Sequence, residues 1–140
     1  MIRLREVENG DADKLFPFVY KTPVTDTLIW DGPDSLEAYR DGLALRQAQT
    51  QKGEAHFFTI VEETTHQPIG SASVHPEANK VRAEVGLWIG IPYQGKGYGS
   101  KVVIEMLKYG IEKLRLEKME APIFVGNQAS RRIFDGKYHF

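Results

Sequence analysis

The chain reads as an α+β fold built on a mixed sheet, and three features predict it. Strand-like and helix-like stretches follow one another irregularly, without the strict alternation of a parallel α/β fold. Two strand-like runs, 56–62 and 68–74, are separated only by the polar turn Glu63 to Gln67, which is hairpin spacing. A long amphipathic stretch then follows a glycine-rich turn, giving a helix that must lay an apolar stripe on a sheet.

Element by element, Met1 to Val7 alternates and predicts a first strand. Asn9 or Asp11 can cap a helix carrying Leu15, Phe16 and Val19, which Pro17 limits or bends. Residues 20–33 read as a loop. Asp34-x-x-Glu37 spells a capping box, and Leu36, Tyr39 and Leu43 at helical spacing predict a second helix to about Gln51. The hairpin follows. Val81 to Ile91 is expected as the central strand, with Glu84, Gly86 and Trp88 on one face and Val85, Leu87 and Ile89 on the other. In the helix after the glycine-rich turn, Val103, Leu107, Ile111 and Leu114 recur at i, i+4, i+8 and i+11 and predict the buried stripe. Met119 to Val125 is a fifth strand, and Asn127 starts a short helix.

Composition narrows the classes. With 140 residues, 41% hydrophobic and 26% charged, the chain can bury a full core as one domain, 1–140, and it shows no repeat, low-complexity tract or linker. The absence of cysteine excludes a disulfide framework, a thiolate metal site and a cysteine nucleophile. No apolar run approaches membrane-spanning length, and the N-terminus lacks the apolar core of a signal peptide, so the cytoplasm is the expected location, with no membrane partner. A net charge of −1 leaves no nucleic-acid footprint. His56, His66, His75 and His139 show no ligand spacing, and no metal is expected.

The segment that speaks most directly about chemistry is Gln94-Gly95-Lys96-Gly97-Tyr98-Gly99-Ser100. Alternate glycines let the backbone turn tightly and converge several N–H groups at a helix N-terminus, whose dipole favours an anion. A purely structural turn would be weakened by three glycines and gain no packing from them. It is not a Walker A loop, because Lys96 is followed by Gly97 and the order Ser100-Lys101 is reversed. Nor does it match the dinucleotide fingerprint, which usually sits in an early βαβ unit. From Lys96 to Lys118, six basic residues face three acidic ones, an excess that suits an anionic ligand. Lys96 and Lys101 lie nearest the loop; Lys108, Lys113 and Lys118 read as a solvated helix face.

The spelling that fits is Gln/Arg-x-x-Gly-x-Gly/Ala, met by Gln94, Gly97 and Gly99, and it resembles the pyrophosphate loop of the GNAT superfamily of acetyl-CoA-dependent N-acetyltransferases. The runs Ala83-Glu84-Val85-Gly86-Leu87-Trp88-Ile89 and Pro92-Tyr93-Gln94, the turn Asn127-Gln128-Ala129-Ser130, and the stretches Val24 to Trp30 and Pro33 to Glu37 are similar to that superfamily's RimJ/RimL-like branch, which acetylates ribosomal-protein N-termini. The resemblance spans most of residues 1–134. It implies a GNAT-like sheet, mostly antiparallel and flanked by helices, with acetyl-CoA as acetyl donor and an amine as acceptor, on a protein N-terminus or a small molecule.

Each chemical need then has a candidate. A terminal α-amine with a pKa of roughly 8 is partly neutral at cytoplasmic pH, whereas a lysine amine near about 10.4 is not, so a modest base suffices for the first. Glu84 is the candidate base, though a strand carboxylate paired with a lysine or arginine fits the sequence equally. The thioester oxygen gains charge in the tetrahedral state and needs preorganised donors, for which the backbone of Leu87, Trp88 and Ile89 is the expected segment. The resemblance implies that residues 94–100 hold the pyrophosphate and that Asn127 bonds the pantetheine, unless it is a simple helix cap. Many members carry a tyrosine seven residues after the counterpart of Asn127; here that position is Phe134, leaving Ser130 as candidate acid for the departing thiolate. Trp30 borders the acceptor pocket or anchors the core. After Phe134 the family continues with two more strands, and the run Asp135 to Phe140 does not spell them. A sheet lacking its last two strands would expose the edge of the 119–125 strand, and a homodimer would cover it. A catalytically impaired acetyl-CoA-binding or assembly module is the alternative to an enzyme.

Overall fold

The computed structural model describes residues 1–27 and 32–120. A strand β1 (Ile2–Glu6) leads into α1 (Asp11–Val19), then a 3-10 turn (Pro23–Thr27) and α2 (Leu36–Lys52). Next come β2 (His56–Glu62), β3 (Gln67–Pro76) and β4 (Arg82–Ile89), a 3-10 turn (Ile91–Tyr93), α3 (Tyr98–Glu112) and β5 (Lys118–Glu120). The strands form one sheet in the order β1-β2-β3-β4-β5. All neighbours are antiparallel except β4 and β5, which the α3 crossover makes parallel. The expected mixed, mostly antiparallel sheet is therefore observed. Among the described residues β4, expected as the central strand, lies between β3 and β5. Trp30 and the continuation of β5 beyond Glu120 lie outside the described residues.

Alternation along the strands divides the core between the two faces of the sheet. On one face Phe58, Ile60, Val74, Val85 and Ile89 pack against Val102, Val103 and Met106 of α3. The other carries Val7, Trp88 and partly buried Phe57 against Leu15, Val19, Tyr39 and Leu43 of α1 and α2. The buried stripe of α3 is thus Val102, Val103, Met106 and Gly110, rotated from the expected one: Ile111 is 48% exposed and Leu114 lies beyond the helix end. Gly110 shows why. A Cβ there would sit 2.5 Å from Met119 Sδ, so the missing side chain lets the start of β5 close against this face.

Both expected caps are corrected. Ser35, not Asp34, caps α2, its Oγ accepting from the Ala38 N–H at 3.1 Å, and Gly53 ends the helix at a φ of 74°. Gly10 stands at the cap of α1, and its neighbour Asp11 does other work. Its buried carboxylate accepts two bonds from Arg5 at 2.8 Å each, one from the Glu8 N–H at 2.8 Å and one from the Thr59 hydroxyl at 2.7 Å. One side chain so ties β1, α1 and β2 together. Burial pushes the Asp11 carboxyl up, but the Arg5 guanidinium and the two other donors outweigh it and hold the group below its ordinary value.

Candidate functional site

The glycine-rich loop follows β4 after the 3-10 turn Ile91–Tyr93. Gly95 and Gly97 adopt φ of 77° and 79°, the left-handed region in which other residues are strained, and Gly97 is the residue from which α3 starts. Among the described residues no side chain caps that start or accepts from the first-turn N–H groups of α3. Two side chains bolt the loop in place. Gln94 Nε2 donates to the Ile89 carbonyl at 2.8 Å, fixing the loop to the end of β4. The Tyr98 hydroxyl donates to Glu62 Oε2 at 2.7 Å, fixing the start of α3 to the end of β2. That bond, with a second from Thr65 to Glu62 Oε1, holds the Glu62 carboxyl below its ordinary value and pushes the Tyr98 hydroxyl up.

The two nearby lysines contribute differently. Lys96 Nζ lies 5.7 Å over the Tyr93 ring beside the exposed loop. Lys101 reaches Met1 Sδ at 3.1 Å. Gly99 and Ser100 are the second and third residues of α3, half-buried. The geometry is an uncapped helix start preceded by two left-handed glycines, which is how backbone N–H groups are made to converge on a phosphate.

Residues 2–135 match the Acetyltransferase (GNAT) domain. The chain belongs to the GNAT acetyltransferase family. It is 27% identical over 135 residues to the uncharacterized N-acetyltransferase p20 of Bacillus licheniformis, covering 96% of this chain and 76% of that protein. The fold is similar to that of RimL, the ribosomal L7/L12 alpha-N-protein acetyltransferase, in complex with coenzyme A: TM-score 0.84, 21% identity, 94% of this chain and 76% of that one. It is also similar to spermidine N-acetyltransferase from Vibrio cholerae in complex with CoA and spermine: TM-score 0.82, 18% identity, 96% and 78% covered.

In this GNAT chain, β4 carries the candidate base, on the two-helix side of the sheet, and the segment expected to take the thioester. Glu84 is exposed and stands opposite His75 of β3. Among the described residues no lysine or arginine pairs with it; Arg82 and Lys118 are bound instead to Glu120. Trp88 and Ile89 are buried and Leu87 half-buried, so their side chains belong to the core and only their backbone is available to a ligand. Gly86 lies across from Ser73 and Trp88 across from Ser71. Asn127 and Ser130 lie outside the described residues.

Sequence reasoning found no ligand spacing at His75 and did not weigh Ser73. The alternation of β3 could have found them, since residues 71, 73 and 75 share a face and the hairpin fixes which β4 residues they meet. His75 Nε2 is 3.0 Å from Ser73 Oγ, and its ring meets Phe57 edge-on at 5.2 Å. The Arg46 guanidinium of α2 lies over the Phe57 ring, 5.5 Å from its centre. Of the other histidines, His56 is buried against Tyr109, its Nδ1 3.0 Å from the phenol oxygen, and His66 holds the β2–β3 turn at a φ of 59°. Among the described residues no three acidic or histidine side chains converge as metal ligands, and no helix is long and apolar enough to cross a membrane.

Proposed function

We propose that this chain moves the acetyl group of acetyl-CoA to a primary amine, on a protein N-terminus as in the RimJ/RimL-like branch or on a small molecule. The observation that carries this reading is the placement of an uncapped, left-handed glycine loop at the end of the strand that bears Glu84. Backbone N–H groups of Gly95, Lys96, Gly97, Tyr98, Gly99 and Ser100 bind the pyrophosphate, with the Lys96 ammonium adding charge. Gln94 keeps those groups aimed through its bond to Ile89.

The acetyl carbonyl then lies along the backbone of Leu87, Trp88 and Ile89, whose N–H groups stabilise the tetrahedral oxyanion. Glu84, without a cationic partner among the described residues, attracts the acceptor ammonium and serves as its base, directly or through water. The neutral amine attacks the carbonyl carbon, the C–N bond forms, the C–S bond breaks and the thiolate leaves. Asn127 holds the pantetheine and Ser130 gives the thiolate a proton. The protein acts in the cytoplasm as a homodimer.

Acetyl-CoA turnover against a panel of N-terminal peptides, spermidine and small primary amines tests the reading. CoA release coupled to acetylation of at least one amine class is expected. Tight CoA binding with no turnover on any amine would instead identify an acetyl-CoA-binding module, and no CoA binding would remove both.

A further inference from the structure

The proton that leaves the acceptor amine must come to rest somewhere, and the polar stretch of β3 contains a side chain suited to hold it. The register sets His75 opposite Glu84 and Ser73 opposite Gly86, all four on the face that carries Trp88. His75 Nε2 and Ser73 Oγ are 3.0 Å apart. With the imidazole proton on Nδ1, Nε2 accepts from the Ser73 hydroxyl, and the serine oxygen keeps lone pairs for another donor. Among the described residues, a Cβ built on Gly86 would meet only Ser73 Oγ, at 3.5 Å. An amine travelling from Glu84 toward the backbone of residues 87–89 passes over Gly86 and therefore beside Ser73.

We propose that Ser73 and His75 form a proton relay: the acceptor ammonium gives a proton to Ser73 Oγ as the serine hydroxyl proton passes to His75 Nε2, leaving a neutral amine and an imidazolium opposite Glu84. The relay rests on the acetyl-transfer reading above and changes one part of it. Glu84 works by its charge, drawing in the ammonium and stabilising the imidazolium, while the proton itself resides on His75. After the C–N bond forms and the C–S bond breaks, the thiolate is protonated as in that reading, one of the two protons left on the nitrogen passes to solvent, and His75, which is exposed, returns its own to solvent.

The groups around His75 fit that task. Desolvation lowers its proton affinity most, Glu84 of β4 raises it, and Arg46 of α2 lowers it, leaving the ring below an ordinary histidine and neutral at neutral pH. Phe57 of β2 contributes an uncharged ring edge, and His56 on the same strand is itself held neutral by burial. As a class, an imidazole lies about two pKa units closer to an amine than a carboxylate does, so it is the better matched acceptor.

The test joins two measurements on the full chain: kcat/KM between pH 5 and 9 with an amine found to turn over, and NMR titration of the His75 ring, assigned by its loss in His75→Gln. The acid limb of the parent profile should share the midpoint of the His75 titration. His75→Gln should lose that limb and about 10²-fold in kcat/KM at neutral pH, with CoA affinity and circular dichroism as in the parent. Glu84→Gln should move the limb and the titration together to lower pH. Ser73→Ala should cost rate while the ring still titrates. A His75→Gln enzyme with the parent's limb and a kcat/KM within threefold overturns the relay alone and leaves acetyl transfer standing; a parent that binds CoA but acetylates no amine overturns both.

Discussion

Replacing Gly97 separates the two reasons a glycine can be needed in this loop. Its φ of 79° lies where a residue with a Cβ costs about 1–2 kcal/mol, and more when β-branched. Among the described residues no atom lies within 4 Å of a Cβ built there, so no clash with them adds to that cost. Alanine and valine therefore bring backbone strain, which the ligand-free loop can shed by changing conformation. Binding must then restore the left-handed turn, and the dissociation constant for CoA should rise by roughly 5- to 30-fold for about 1–2 kcal/mol.

Asparagine tolerates this conformation far better, yet it adds a side chain where backbone must approach phosphate. Calorimetric titration of CoA into the parent, Gly97→Asn, Gly97→Ala and Gly97→Val resolves the two effects. With a phosphate against the backbone, all three variants weaken, valine most; with strain alone, asparagine stays near the parent. A valine variant that binds CoA like the parent with an unchanged Tm would refute the reasoning, because neither strain nor close approach would then act at this position.

Three further outcomes follow from the geometry. Glu84→Gln should retain CoA affinity within about twofold and lower the acetylation rate most below the amine pKa, read from pH–rate profiles beside calorimetry. Asp11→Ala strips the acceptor from Arg5, Thr59 and the Glu8 N–H, and should cost about 3–5 kcal/mol in urea unfolding; Thr59→Val should cost roughly 1 kcal/mol. Because the folded Asp11 carboxyl lies below its unfolded value of 3.8, its stabilisation is full above that pH and is lost as pH falls through the folded value, a loss Asp11→Asn should not show. His56, lowered by burial and by the charges of His75 and Lys80, obeys the same sign: its contribution is present above 6.5 and fades as acid protonates it, so Tm between pH 5 and 7 should depend less on pH in His56→Gln.

Periodicity made the strands and the glycine loop legible from the residues alone, since each is a local signal. What escaped was set by contacts between distant segments. The stripe of α3 turns on Gly110 meeting Met119, which no helical spacing encodes. Asp11 looked like a cap because an acidic residue before an apolar stretch usually is one; its partners Arg5 and Thr59 reach it only once β1, α1 and β2 are assembled. Gln94 and Tyr98 were legible as loop residues, but their visible work is anchoring, to Ile89 and Glu62.

Register is what brings the proposed acceptor side together, and it is guarded. A one-residue slip of β4 against β3 would send Glu84 and Gly86 to the α3 side and bring Val85 and Leu87 to the polar one, so every pairing in the proposed relay depends on its not happening. The hairpin ends resist it at Gly70, where a Cβ would fall 2.2 Å from the Trp88 carbonyl oxygen, a backbone approach that only this alignment of the two strands allows. The irregular pairing of β2 with β3 between Ile60 and Val61 sits beside the same glycine. Gly70→Ala should therefore shift the end of β4, which carries the proposed thioester segment and, through the Gln94 bond to Ile89, the proposed phosphate loop. Acetylation rate and CoA affinity should fall together in that variant, whereas Glu84→Gln and His75→Gln should lower the rate alone; a Gly70→Ala protein with parental CoA binding would show that the loop is held independently of the strand end.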